Sequence, residues 1–474
     1  MTKAVKVIAE VGSNSPQALH VAYTRALQHR TTYVELTIEA KNEDFRPIAA
    51  VVREKLMPAI TGRLVMHDAV EEALCLPVRL GGLALSTPVW SAESNFRTAK
   101  EATTHLTRTL RGLEQWDANE HSQIFSTTAS TCKRDRRKDQ EKRADALLSR
   151  DSGLPEAMKK CMKRARDHTS ANQWLFVTPC VMSKTVLTPH QFRDAINIRY
   201  GYDPIGLPVI CECGNNKRNT LEHSLTCKSG GGVVGRHDII KDELAFLAGE
   251  ALSHSSFHVE KEVTLLGNRL PPPQGVRNGQ EGGGVGGQHQ MTKDGGGGRR
   301  REEQQRDEGG GLRIDVRIRG LEESAAVTDV DVRCLYPDAH SYGTTAIDKL
   351  LENDEKEKCN RYQQAVQMEG HRFRPFVVST DGVFGPAAKQ LLKKISDKLS
   401  EKWKKPVGTV GGWIRARMGL AVVRACSACI RGSKVPGGAR ARRVEPEAFF
   451  DDTDGAFLGL QFSNGPAGQG RRVE

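Results

Sequence analysis

The sequence predicts a multi-domain chain: a mainly α N-terminal region, a small metal-binding knuckle and an α/β C-terminal domain. Three observations carry this prediction. Apolar residues recur at helical spacing through residues 1–130. Cys211, Cys213, His223 and Cys227 then fall within 17 residues of one another. After them come two short stretches of strict alternation, Leu312–Arg319 and Asp329–Cys334, followed by a further helical pattern.

In the helical region, Ser15–Pro16 is a start signal with proline at the first helical position. Ala18, Ala22, Tyr23, Ala26 and Leu27 form the expected apolar stripe behind it. Gly81–Gly82 breaks the pattern with a tight turn. Residues 131–204 read as a basic helical linker. Lys133 to Arg150 carries eight basic and four acidic residues. Such a mixture suits a solvated helix face. It also suits phosphate contact, with Arg136, Arg137 and Lys138 as candidates. Lys159 to Arg166 repeats the choice. Thr188–Pro189 opens an amphipathic helix that ends near Tyr200 and leads through Leu207–Pro208 into the cysteine cluster.

The knuckle, residues 205–232, has the spacing Cys-x-Cys-x9-His-x3-Cys. Three thiolates and an imidazole are a complete ligand set for structural Zn²⁺. Gly214 gives the turn after Cys213 its freedom, and His223 and Cys227 face one way on a short helix. Cys426 and Cys429 form a second close pair, but on an apolar helix, where packing is the better reading.

In the strands, Leu312, Ile314, Val316 and Ile318 alternate with Arg313, Asp315, Arg317 and Arg319. Val330, Val332 and Cys334 alternate with Asp329, Asp331 and Arg333. Each strand therefore has an apolar and a charged face. The charged face can be solvent-exposed, or pairing can set Asp315 beside Asp329 or Asp331. Neighbouring carboxylates call for a cation, and Mg²⁺ is the expected one. A helix from about Thr345 to Gln367 buries Ile347, Leu351, Tyr362, Ala365 and Val366. Lys358 falls on that stripe and Arg361 on a neighbouring line. A partly buried lysine near carboxylates is suited to orient water or neutralise developing charge. Strand 374–379 and a helix from Pro386 to Trp403 complete the α/β core, and the helix holding Arg236, His237 and Asp242 packs on the same sheet.

Apolar content is 38% and aromatic content 5%, with a net charge of +12. That charge favours a polyanionic partner. No run of 18 apolar residues exists, so no membrane span is expected, and the N-terminus lacks a signal-peptide core. The 11 cysteines read as reduced thiols and metal ligands. Residues 266–311 are glycine-rich and nearly devoid of apolar side chains, which predicts a disordered insertion in the 233–434 domain. Residues 435–474 read as a disordered tail.

Several segments together resemble the C-terminal part of non-LTR retrotransposon polyproteins. They include LPVRLGGLAL, FRDAINIRYGYDP, LPVICECG, LEHSLTCKSGGG, RHDIIKDE, LRIDVRIRG, DVDVRCLYPDAHSY, EKEKCNRY, FRPFVVSTDGVFG and GWIRARMGLAVVRACSACIRGS. The resemblance covers residues 10–434, interrupted by the insertion. It implies a post-polymerase region over 1–130, a Cys-Cys-His-Cys zinc knuckle, and a restriction-like endonuclease of the PD-(D/E)xK type.

By that resemblance, Asp315 is the first acidic motif and Asp331–Val332–Arg333 the second. Lys358, Arg361 and Asp242 complete the candidate catalytic set. Arg236 and His237 match the family's arginine–histidine helix start, and Arg415 and Arg417 are further candidate contacts to nucleic acid. The implied activity is Mg²⁺-dependent nicking of target DNA for reverse transcription. The implied partners are DNA, element RNA and the reverse transcriptase of the same polyprotein, in the nucleus and away from membranes. The polymerase core itself is absent, so a fragment or degenerate copy is expected. Arg333 stands where the family has lysine, and Ile314 where it has proline. The alternative is a catalytically inactive, zinc-containing nucleic-acid-binding fragment.

Overall fold

A computed structural model describes residues 1–252, 258–265, 312–322 and 326–436. The expected insertion 266–311 lies outside the described residues, as does the expected tail apart from Val435 and Pro436. The described chain is mostly helical, with one four-stranded sheet.

Short helices run from Thr2–Gly12 to Thr104–Leu110. Eight later helices follow: α1 (Ala118–Leu148), α2 (Glu156–Asp167), α3 (Pro189–Tyr200), α4 (Leu221–Thr226), α5 (Gly232–Leu252), α6 (Ile347–Met368), α7 (Pro386–Trp403) and α8 (Val407–Arg431). The strands are β1 (Val259–Thr264), β2 (Arg313–Arg319), β3 (Val327–Leu335) and β4 (Arg372–Ser379). Their spatial order is β1-β2-β3-β4, with β1–β2 and β2–β3 antiparallel and β3–β4 parallel. The parallel pair needs a crossover, and α6 supplies it. Leu265 N donates to Leu312 O at 2.8 Å, so the two ends flanking 266–311 meet at the β1–β2 edge.

Local chemistry explains the best-defined helix starts. Thr188 accepts the Gln191 N–H at 3.2 Å while Gln191 Oε1 accepts the Thr188 N–H at 3.0 Å, a capping box ahead of Pro189. Gly201, at φ +68°, ends that helix. Gly82 is forced by packing, since a Cβ there would stand 1.9 Å from Leu76 O.

Two expectations are corrected here, and one choice that the sequence leaves open is decided. In the helix Pro16–Arg25 the buried line is Leu19, Tyr23 and then Leu27, while Ala18, Ala22 and Ala26 are exposed. Both lines have the same spacing, and the bulkier one removes more apolar area from water. The boundary at residue 130 falls inside α1, a continuous helix whose N-cap Asp117 accepts the Asn119 N–H at 2.8 Å. The charged face of β2 and β3 is not open to water: α6 covers it, leaving Asp329 and Asp331 buried.

Two cores share α8. Leu420 and Val423 of α8 pack with Leu19, Met57, Met158, Trp174 and Phe192. On its other side, Met418 and Val422 pack with Leu244 of α5, Val330 of β3, Phe376 of β4 and Ile395 of α7. Buried Asp194 of α3 pins the joint, accepting Arg431 Nε and Nη2 and Ser427 Oγ, each at 2.7 Å. Cys426 and Cys429 are buried in α8, as expected of packing residues. No described helix is long and apolar enough to cross a membrane.

Candidate metal centre and acidic site

The knuckle begins as a tight turn. Cys211 N donates to Lys217 O at 2.7 Å and Asn219 N to Val209 O at 3.0 Å, with Gly214 at φ +78° between them. Thr220 then caps α4 by accepting the His223 N–H at 3.2 Å. Ligand atoms of Cys211, Cys213, His223 and Cys227 all lie within 4.8 Å of one another, and Cys213 Sγ is 3.6 Å from His223 Nε2.

The three buried cysteines form a cluster of their own, without any other buried apolar side chain, and none is in a disulfide. The Asn215 backbone N–H holds the Cys213 thiol below its usual range. A small core made of sulfur alone has little packing energy, and the donor set fits a metal such as zinc. Leu221 and Leu225 of α4 anchor the knuckle to the body. Arg236 Nη1 donates to Leu225 O at 2.9 Å and Nη2 to Cys334 O at 3.1 Å, bracing α4 against β3.

The second site forms where β2 and β3 part. Their ladder runs from Arg319–Val327 to Val316–Val330, and beyond it Asp315 fills the gap. Asp315 Oδ2 accepts the Val332 N–H at 2.6 Å, and Oδ1 lies 3.0 Å from His237 Nε2 of α5. Asp331 Oδ2 is 2.7 Å from Lys358 Nζ of α6, and the Tyr362 hydroxyl bears on the same carboxylate. Side-chain exposures of 28% for His237, 14% for Asp315, 6% for Asp331 and 17% for Lys358 leave the site partly buried and partly exposed.

The two aspartates titrate in opposite directions. Burial acts to raise Asp315, but the hydrogen bond and charge of His237, with Val332 N–H and Lys241, hold it below the usual carboxylate range. Burial raises Asp331, and the Asp315 charge adds to it against the pull of Lys358. His237 is raised in turn: burial opposes its charge, but Asp315 outweighs burial. Divergent carboxylates with opposed environments are a feature of acid–base and metal sites.

Asp315, Asp331 and Lys358 are thus brought together, with His237 added to them. Other candidates go elsewhere. Arg333 pairs with Asp354 at 2.8 Å and Glu357 at 3.3 Å. Arg361 is exposed and stacks over the Tyr362 ring at 5.4 Å. Asp242 pairs with Lys261 of β1 at 2.8 Å. Arg236 is buried and spent on carbonyls, and Arg417 is clamped to Glu243 at 2.5 Å beneath Phe246 and Trp413. Arg415 is exposed on α8, and Arg136, Arg137 and Lys138 are exposed on α1. Arg137 bonds Glu141 at 3.1 Å, and Arg136 bonds Asn95.

Reading the sequence placed His237 on nucleic acid and missed its bond to Asp315, 78 residues away. It also missed Lys241, Tyr362 as a polar partner of Asp331, and the network of Arg317, Asp329, Glu369 and His371. No local signal marks these, because each is made by packing of distant segments. The chain matches no protein-family model and no curated protein sequence.

Proposed function

We propose that this chain is a Mg²⁺-dependent DNA endonuclease module carrying a structural zinc knuckle. The observation that carries this reading is the meeting of Asp315, Asp331 and Lys358 in a partly open site where two strands part. The antiparallel and parallel mixture of the sheet, flanked by α5 and α6, agrees with the restriction-like architecture that the sequence resembles.

Asp315 and Asp331 would hold the cation. Burial raises Asp331 and the like charge of Asp315 adds to it, a repulsion that a divalent ion would relieve. Magnesium, when bound, supplies positive charge against the scissile phosphate and lowers the pKa of water. His237 keeps Asp315 ionised. Lys358, held at 2.7 Å from Asp331, is placed to orient the attacking water or to neutralise developing charge on the phosphate. The exposed Arg136, Arg137 and Lys138 on α1 would contact backbone phosphates. Cys211, Cys213, His223 and Cys227 would hold zinc, and the nuclear setting and polyprotein partners follow from the same resemblance.

A second reading has one observation in its favour. Arg333, where the family has lysine, is tied to Asp354 and Glu357 and away from Asp331. That favours a zinc-containing nucleic-acid-binding fragment without catalysis. Supercoiled plasmid with Mg²⁺ separates the two. The nuclease reading expects nicking by the parent chain, and loss of nicking in Asp315→Ala and Asp331→Asn with DNA affinity retained. Binding without nicking by the parent, or equal nicking by Asp315→Ala, selects the fragment reading.

A further inference from the structure

Beneath α6 the charged face of the sheet holds a second polar group beside the acidic site. Arg317 and Asp329 are directly paired across β2 and β3, one register step from Val316–Val330, where the strands begin to part. Arg317 Nε and Nη2 bond Asp329 Oδ1 and Oδ2 at 2.7 and 2.9 Å, a two-point fork. Arg317 Nη2 also donates to Glu369 Oε2 at 2.8 Å. His371 Nδ1 lies 3.0 Å from Asp329 Oδ2 and 3.5 Å from Glu369 Oε2. Asp329 is wholly buried, and Arg317 is nearly so.

Asp329, Glu369 and His371 offer three possible metal-ligand atoms within 4.8 Å of one another. The Arg317 guanidinium already stands among the two carboxylates as their cation. A divalent ion there would add charge beside a fixed positive group and would have to break the fork.

The location of the group is more telling. Glu369 caps the end of α6, and His371 immediately precedes β4. Glu369 is 369 − 358 = 11 residues beyond Lys358. At about 100° per residue, 11 residues make nearly three full turns, so Lys358 and Glu369 share one face of α6 about 16 Å apart. Tyr362 and Val366, both buried, lie on the line between them. Holding Glu369 therefore fixes the rotation and axial position of the helix that carries Lys358 and Tyr362. The Arg317–Asp329 pair fixes, at the same time, the last closed rung of the two strands that carry Asp315 and Asp331.

We infer that Arg317, with Asp329, Glu369 and His371, is the positioning frame of the acidic site: one guanidinium locks both strands and the helix in the register that brings Lys358 to Asp331. The four are positioning residues that do not reach substrate. The inference rests on the nuclease reading for its catalytic consequence, but its structural content is independent of it.

The test uses Glu369→Gln and Arg317→Lys in the full chain. Hydrogen exchange is followed by mass spectrometry across residues 327–335 and 347–371, alongside Mg²⁺-dependent plasmid nicking. Loss of the fork in Arg317→Lys should speed exchange over both segments about tenfold, and loss of the Glu369 ion pair in Glu369→Gln should do so over 347–371, each in excess of any change across α5. It should lower kcat for nicking about tenfold, with KM for DNA within about twofold, since phosphate contacts are untouched. If Arg317→Lys does not fold, Glu369→Gln alone decides, because it leaves the Arg317–Asp329 pair in place. Unchanged exchange over both segments overturns the positioning role. So does a rise in KM at constant kcat. So does a second bound metal that is lost in His371→Ala, since the group would then be a metal site. Faster exchange with a parent chain that never nicks DNA upholds the frame and defeats the nuclease reading instead.

Discussion

Replacing Cys227 with serine should release the knuckle metal and loosen the turn of residues 209–219 without unfolding the rest of the protein. The three cysteines pack on one another alone, so the turn has no apolar core to fall back on. Structural zinc supplies on the order of 10 kcal/mol to such units, far more than the turn's few backbone bonds. Helix α4 is better secured. Leu221 and Leu225 are 3% and 0% exposed, and burial of each is worth about 1.5–3 kcal/mol. Arg236 and Lys434 also bond its last carbonyls, with Lys434 Nζ 3.3 Å from Ser224 O. The loss should therefore stop near Thr220. Metal analysis of the purified parent should find one zinc per chain, and the variant none. Hydrogen exchange should rise over 209–219 and change little over 232–252. Full zinc content in Cys227→Ser, or unfolding that spreads through α5, would refute the argument.

Two further outcomes follow from the same physics. Asp194→Ala should destabilise the protein by about 3–5 kcal/mol, since it leaves the Arg431 guanidinium without its buried partner. A fall of only a few tenths in chemical denaturation would count against α8 as the joint between the cores. His20 is buried with Nε2 donating to Leu83 O at 2.8 Å, and burial lowers its pKa to about 4. The unfolded chain therefore binds the extra proton first, so stability should decline as pH falls from 6.5 to about 4, by at most about 3 kcal/mol, and this decline should shrink in His20→Gln. The same melting-temperature series in parent and variant checks it, and parallel curves would reject the assignment.

The sequence was most readable where one short segment decides its own structure. Thr188, Pro189 and Gln191 set a helix start by themselves, and Pro386 does the same for α7. Alternation made β2 and β3 legible as strands, but not the facing of every residue, since Ile314 packs with Tyr362 and Val366 of α6 while Val316 and Ile318 belong to the core shared with α5 and α8. Strand β1 was not legible, since Glu260, Lys261 and Glu262 interrupt its three apolar or β-branched positions and it lies at the sheet edge. Spacing could not choose between the alanine line and the Leu19–Tyr23–Leu27 line in the second helix, because both recur every fourth residue. In the acidic site, the facing of Lys358 was predictable from the α6 stripe. The bond between His237 and Asp315 was not, because only the packing of α5 against the end of β2 creates it. Nor does pattern show that α6 would bury a face made of aspartates and arginines, which is stable only because the charges are paired.

The most direct test of the nuclease account is a plasmid-nicking time course with Mg²⁺, run on the parent chain, Asp331→Asn and Lys358→Met, with DNA affinity measured in parallel. The account predicts Mg²⁺-dependent conversion of supercoiled to open-circular DNA by the parent. It predicts none by Asp331→Asn, and a rate reduced about 10²-fold or more by Lys358→Met, all three binding DNA with similar affinity. Equal nicking by the parent and Asp331→Asn, or a parent that binds DNA and never cuts it, would contradict the account.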